Sequence, residues 1–266
     1  MGIVNVTPDS FSDGGQYVEK HSAMDHCDRL LREGADILDI GGESTRPGSS
    51  TPSEQEELAR LIPVLKHAVT LGVPISVDTS NAEVIRQALQ MGVDIVNDVR
   101  ALRRPGALQA VHAHGQAGVC LMHMRGEPST MQKSMSDYTD VVSEVGEFLR
   151  LRMGTVMAAG VASDRIVLDP GIGFGKSPDD NWALLCRQSD LLALGRPLLT
   201  GWSRKGTLGR LTGRETQDRT AASVAAALAS VQRGAMIVRV HDVAATADAL
   251  KVWTAAGFLP SQADRN

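Results

Sequence analysis

The chain has 266 residues, 42% of them hydrophobic and 22% charged, a composition that suits a soluble globular protein with enough apolar surface for a sizeable core. A net charge of -4 with no basic block, and aromatics at only 3%, leave no platform for tracking a phosphate backbone or stacking bases, so nucleic acid is not an expected partner. No apolar run reaches the roughly 18 residues of a membrane span and no basic stretch leads into an apolar one at the N-terminus, so a cytoplasmic protein with no membrane partner is expected.

Cys27, Cys120 and Cys186 are odd in number and widely spaced, which argues against a disulfide framework or a zinc site and reads as three buried thiols in a reducing compartment. The chain starts Met1-Gly2, but Val6 stands where an N-myristoylation signal needs Ser or Thr.

In chain order the predicted elements alternate. A strand over Gly2 to Val6 precedes a helix over 22–33, and a strand over Ile37 to Gly41 precedes a helix over 53–70, capped by Ser53 or Thr51 and entered through Pro52. Strands over Ile75 to Asp78, Ile95 to Asp98 and Val119 to His123 lead into helices over 81–91, 107–114 and 137–159. Strands over Ile166 to Asp169, Leu198 to Gly201 and Ile237 to His241 lead into helices over 179–193, 217–232 and 244–255. The strands are continuous apolar runs, as strands buried on both faces should be, and Gly34, Gly72, Gly92 and Gly160 stand where helices should stop. Eight βα units with no Pro/Gly/Ser-rich linker between them predict a single-domain α/β protein, a (β/α)8 TIM barrel spanning residues 1–266. An open doubly wound sheet would need a topological switch point, which the sequence does not display.

Barrel enzymes carry their reactive groups at the C-terminal ends of the strands. Polar residues accumulate there: Asn5, Asp39, Asp78, Asn97 with Asp98, His123, Asp169, Ser203-Arg204-Lys205, and Arg239 with His241. Any one of them taken alone reads as a helix cap. Jointly that reading weakens, because an ionisable group inside an apolar strand costs several kcal/mol, roughly, unless it is paired or faces a polar cavity. The mixture of Asp39, Asp78 and Asp169 with Lys205, Arg239 and His241 suits a substrate that has both a hydrogen-bond-donating edge and an anion.

The stretch Pro170-Gly171-Ile172-Gly173-Phe174-Gly175-Lys176-Ser177 nearly matches a Walker A loop, but Pro170 takes the place of the first required glycine. It reads instead as a flexible loop able to approach substrate, with Lys176 as a solvated loop charge. His123 is read equally as structural or catalytic, and His21, His26, His67, His112 and His114 as surface residues of helices. Asp98 is expected either to orient Asn97 or to cap the following turn.

Together, Asn5-Val6-Thr7-Pro8-Asp9-Ser10-Phe11-Ser12-Asp13-Gly14-Gly15, the block from Asp39 to Gly48, Val77-Asp78-Thr79, Asn97-Asp98-Val99, Leu121-Met122-His123-Met124, Leu168-Asp169-Pro170-Gly171, Ser203-Arg204-Lys205 and Arg239-Val240-His241 resemble the dihydropteroate synthase family. The blocks stand in the family's order and cover almost the whole chain. The resemblance implies condensation of 7,8-dihydropterin-6-ylmethyl diphosphate with 4-aminobenzoate, by an SN1-like displacement that releases diphosphate, in folate biosynthesis. It implies a pterin pocket of Asp78, Asn97, Asp169 and Lys205 with Arg239 beside the ring, and diphosphate held by Asn5, Arg239 and His241 with Mg2+ near Asn5. Lys205, Arg239, His241 and Asp169 would carry catalysis. Phe11, Thr45, Arg46, Pro47, Phe174, Ser203 and Gly206 would surround 4-aminobenzoate, where sulfonamides would compete. A homodimer packed through barrel-side helices is also implied, and the Ala-rich segment 220–231 is apolar enough to pack against something.

Some features depart from the family pattern or stand outside it. The chain begins at the first strand without the short N-terminal extension of many members, so a hairpin on the barrel floor is expected to be absent or trimmed. Gly206 stands where many members have Ser, leaving its backbone N–H to serve. Arg125 and Lys133 fall in a stretch with no assigned role. The rival readings are a pterin-binding barrel of the methyltetrahydrofolate methyltransferase type, which should not need the Phe11 and Pro47 loops or the Lys205, Arg239 and His241 cations, and a non-catalytic pterin-binding barrel.

Overall fold

The computed structural model describes residues 1–6, 16–43, 51–126 and 138–259. Eight strands, β1 (Gly2–Asn5), β2 (Leu38–Gly41), β3 (Ile75–Asp78), β4 (Ile95–Asp98), β5 (Gly118–Met122), β6 (Ile166–Asp169), β7 (Leu198–Thr200) and β8 (Ala235–Val238), pair in sequence order and in parallel. Past β8 the chain bridges Val240 to Gly2, with Ile3 N donating to Val240 O at 3.0 Å and Val240 N to Met1 O at 3.0 Å. The sheet therefore closes on itself and leaves no edge strand to protect, and the predicted (β/α)8 barrel is the fold observed.

The helices are α1 (Gln16–Arg32), α2 (Glu54–Ala68), α3 (Ala82–Gln90), α4 (Ala107–His114), α5 (Val141–Ala158), α6 (Pro178–Cys186), α7 (Gly206–Thr212), α8 (Thr220–Gln232) and α9 (Val243–Ala255). Ser53 caps α2 through a reciprocal pair: its Oγ accepts from Glu56 N at 3.3 Å, and Glu56 Oε2 accepts from Ser53 N at 2.8 Å. Thr51, the other candidate cap, donates to Glu43 Oε1 instead. In α3 the spacing of Val84, Ile85, Ala88 and Leu89 puts one face under the sheet's outer layer, and each large side chain so buried contributes about 1.5–3 kcal/mol.

The pleat sorts the strands into two environments. Leu38, Ile40, Val77, Val96, Val119, Leu121, Ile166 and Leu168 face outward into the main core shared with the helices. The barrel floor is a smaller apolar plug of Met1, Cys120 and Leu199 flanked by Ile37, Val167 and Ile237. Above that plug the inward positions turn polar, and the site begins there.

Several expectations are corrected. The last strand lies at Ala235–Val238 and not at Ile237 to His241, because Arg239 and His241 follow the ladder into the mouth. The helix expected over 179–193 stops at Cys186 and continues as a 3₁₀ segment, Gln188–Leu194. The short helix α7 was not foreseen. Cys27 and Cys120 are buried thiols as expected, but Cys186 is exposed at the end of α6. His26 and His67 are half-buried and not simple surface residues: the His26 ring lies 3.2 Å from Ile3 O and the His67 ring 3.0 Å from Asp28 Oδ1. Phe11, Thr45, Arg46, Pro47 and Lys133 lie outside the described residues.

Candidate active site

At the mouth the side chains of β2, β3 and β4, with Arg239 just past β8, form one polar network. Asp39, fully buried on β2, accepts at Oδ2 from Arg239 Nε at 2.6 Å and from Asn97 Nδ2 at 3.1 Å. Arg239 also donates from Nη2 to Asp78 Oδ2 at 2.8 Å, so one guanidinium bridges two carboxylates on neighbouring strands. The Arg239 ion pair and the Asn97 hydrogen bond make the burial of Asp39 tolerable, and through them Asp39 and Arg239 fix where Asn97 and Asp78 stand. Asp39 was expected in the constellation of charged strand-end groups, and these contacts show that it is committed to protein partners.

Burial pushes the Asp78 carboxyl up, against the pull of Arg239; with the guanidinium 2.8 Å away, the carboxylate is the working form. Asp169 at the end of β6 accepts from Gly171 N at 2.7 Å, and burial pushes its carboxyl up to about 6 in spite of that bond and of Lys205. Lys205 is pushed down to about 8, first by burial and then by Arg239. The Phe174 ring lies 4.2 Å from Lys205 Nζ and packs on Val99, Met122 and Met124, forming an apolar wall on one side of the polar mouth.

His241 and Ser203 form a second pair. Ser203 Oγ lies 2.9 Å from His241 Nδ1 and accepts from His241 N at 3.1 Å. Burial and the neighbouring Arg239 drive the imidazole down to about 3, so it works as a neutral ring. Arg204, between Ser203 and Lys205, has φ 59° and turns its guanidinium onto Asp242, with bonds of 3.1 Å and 2.6 Å, instead of joining the site cations. Asn5 is half-buried at the end of β1. Gly206 opens α7, and a side-chain carbon added there meets open space. The structure thus brings Asn5, Asp78, Asn97, Asp169, Phe174, Ser203, Lys205, Arg239 and His241 to the C-terminal end of the barrel, where they were expected.

The remaining polar residues of this end hold loops. Asp98 accepts from Arg100 N at 2.8 Å, from Leu102 N at 2.7 Å and from the Ser80 hydroxyl, so it caps the following turn and does not orient Asn97. Arg100 pairs with Glu43 through two bonds of 3.1 Å, both side chains nearly buried, and ties the ends of β2 and β4 together.

Lys176 overturns the sequence reading. It is not a solvated loop charge: only 6% of the residue is exposed. Its ammonium donates to Gly171 O at 2.9 Å and Phe174 O at 3.2 Å and lies 2.9 Å from His123 Nδ1. The missed signal was long-range, since His123 is 53 residues away in sequence. The loop is no phosphate cradle either. Gly171 and Gly175 have φ of 69° and 66° and lie directly on the backbone of the β5 end, where an added Cβ would overlap the carbonyl oxygens of His123 and Arg125.

Comparison with known proteins agrees with this geometry. Residues 1–241 match the family described as pterin binding enzyme. The chain is 54% identical over 264 residues to the dihydropteroate synthase of Neisseria meningitidis serogroup B, covering 97% of this chain and 92% of that one. The Xanthomonas albilineans dihydropteroate synthase with 4-aminobenzoic acid superposes with a TM-score of 0.92 at 52% identity, over 98% of this chain and 93% of the other. The Yersinia pestis dihydropteroate synthase in a sulfonamide complex gives a TM-score of 0.92 at 45% identity, over 97% and 94%. This chain belongs to the pterin binding enzyme family and, within it, to the dihydropteroate synthases.

Proposed function

We propose that the chain condenses 7,8-dihydropterin-6-ylmethyl diphosphate with 4-aminobenzoate to give 7,8-dihydropteroate and diphosphate, in folate biosynthesis. The observation that carries this reading is the mouth network, in which Asp39 and Asp78 orient Arg239 beside Asn97, Asp169 and Lys205. A carboxylate at Asp169 accepts the paired N–H donors of the pterin's 2-amino and N3 edge, with Asn97 and Asp78 completing the polar ring around it. Lys205, with its Nζ 4.2 Å from the Phe174 ring, would lie beside the bound pterin.

Breaking the methylene C–O bond sends the electron pair out with the diphosphate and leaves a cationic methylene on the pterin. Arg239 and the neutral His241 bind the leaving oxygens more strongly as their charge grows, which lowers the barrier instead of merely tightening the ground state. The aryl amine then supplies its lone pair to the cation and loses a proton. An amine attacking a carbocation requires no strong base, and none is assigned.

The donor chemistry at Asn5 suits Mg2+, which keeps most of its ligands as water and substrate phosphate and takes only one or two oxygens from protein. Bound there, the ion would neutralise charge on the departing diphosphate. Phe174, Ser203 and Gly206, with Phe11, Thr45, Arg46 and Pro47, complete the reading as the surroundings of 4-aminobenzoate. A cytoplasmic setting suits the three free cysteines. Homodimer assembly is supported by apolar Val252 and Phe258, exposed at the end of α9, and sedimentation tests it. No described helix is long and apolar enough to cross a membrane.

The test is diphosphate release from the pterin diphosphate with Mg2+, with and without 4-aminobenzoate, in the wild type and in Lys205→Ala and Arg239→Ala. Release coupled to dihydropteroate formation, and lost by about 100-fold or more in both variants, supports the reading. Pterin binding with no turnover overturns it in favour of a binding module.

A further inference from the structure

The loop between β6 and α6 is pinned at two points. Gly173 N donates to Asn181 Oδ1 at 2.8 Å, and Asn181 Nδ2 in turn donates to Ser177 O and to Thr207 Oγ1 on α7. The second point is Lys176. Its ammonium lies within hydrogen-bonding reach of the carbonyls of Gly171, Phe174 and His123 and of the His123 ring nitrogen; among the described residues Asp169 and Asp180 attract it without forming a direct ion pair.

A cation buried on neutral acceptors is an expensive arrangement. Desolvation drives Lys176 down to about 7, and burial with the nearby cations drives His123 down to about 2, so the imidazole stays neutral and able to accept. An apolar side chain would fill the same space at lower cost, so the geometry the ammonium imposes needs a reason. That geometry ends at Phe174: with its carbonyl held from below, the ring stays 4.2 Å from Lys205 Nζ. Gly173 lies against the same lysine, since an added Cβ would come within 3.2 Å of Lys205 Cδ.

We propose that Lys176 is a positioning residue for the condensation: it ties the β6–α6 loop to the end of β5 and thereby fixes the Phe174 ring against Lys205, on the face that receives 4-aminobenzoate. This rests on the functional reading given above. Lys176 touches no reacting atom; it acts through Phe174.

The test is steady-state kinetics on Lys176→Met, with the wild type assayed beside it and folding followed by thermal melting. The expected result is a 4-aminobenzoate KM raised by about 10-fold, with the pterin diphosphate KM changed by less than about 2-fold. In a Phe174→Leu background the same substitution should add less than about 2-fold, because the two residues act through one ring. Should Lys176→Met fail to fold, His123→Leu removes the nitrogen acceptor while keeping an apolar face against Phe148, and a rise of about 3-fold in the same KM is expected. A folded variant with an unchanged 4-aminobenzoate KM, a fall in kcat alone, or full additivity with Phe174→Leu overturns the proposal. No turnover in the wild-type run would instead bring down the functional reading, and this inference with it.

Discussion

Arg239, just past the last strand, reaches Asp39 on the second, its Nε 2.6 Å from Oδ2, and the same guanidinium goes on to Asp78. The contact determines which groups at the mouth are free to meet substrate. Asp39 is spent inside the protein, holding Arg239 and Asn97, whereas the Asp169 carboxylate accepts one bond among the described residues, from Gly171 of its own loop.

Removing the spent carboxylate should therefore damage stability and activity together. Asp39→Ala leaves Arg239 with one carboxylate partner and Asn97 without its acceptor, and the expected cost is about 3–5 kcal/mol in urea unfolding. Any folded fraction should turn over at least about 10-fold more slowly, because Arg239 loses the contact that would hold it at the leaving group in the proposed reaction. A stability loss under about 1 kcal/mol would show that the buried pair is dispensable.

The titrations predict a bell-shaped kcat/KM for the pterin diphosphate. In the proposed reaction an ionised Asp169 accepts the pterin's donors, so the acid limb should bend near pH 6, and a protonated Lys205 is required, so the alkaline limb should bend near pH 8. Stability moves the other way on the acid limb. Asp169 holds its proton to higher pH in the folded protein than in the unfolded chain, so its contribution is complete below the ordinary carboxylate range and is lost as pH rises through about 6. Asp169→Asn should flatten the acid limb; a limb that survives unchanged assigns it to another group.

Two glycines near the site should respond oppositely. Gly171→Ala drives a methyl into the His123 carbonyl at positive φ, and a loss of several kcal/mol, roughly, is expected together with displacement of the loop. Gly206→Ser enters open space at the start of α7 and should change the melting free energy by no more than about 0.5 kcal/mol. Equal effects of the two in thermal melts would contradict the contact geometry described.

Sulfamethoxazole should compete with 4-aminobenzoate. Initial rates at several drug concentrations should show a rising apparent KM for 4-aminobenzoate at constant kcat, with the effect lost at saturating substrate. Rates that ignore the drug at limiting 4-aminobenzoate would place Phe174 and its neighbours outside the aryl site.

The sequence carried the barrel because most strand positions are buried on both faces, so the strands stood out as short runs dominated by apolar residues wherever their ends fell. The same apolar background made Asp39, Asp78, Asp169 and Arg239 conspicuous. Lys176 was misread for the opposite reason. Gly175-Lys176-Ser177 looks like any solvated loop, and nothing local reports that His123, just past β5, meets the ammonium alongside the loop's own carbonyls. Helix α7, at seven residues, is too short to show a period, and the break after Cys186 carries no glycine or proline to announce it.

The wall built by Gly171 and Gly175 against the end of β5 is backbone laid upon backbone. Both glycines are buried, so the contact has no side chain to exchange and no room to add one. Single substitutions can reshape the side chains that line the mouth, but the level at which this backbone layer presents Ile172 and Phe174 has few mutational routes to change.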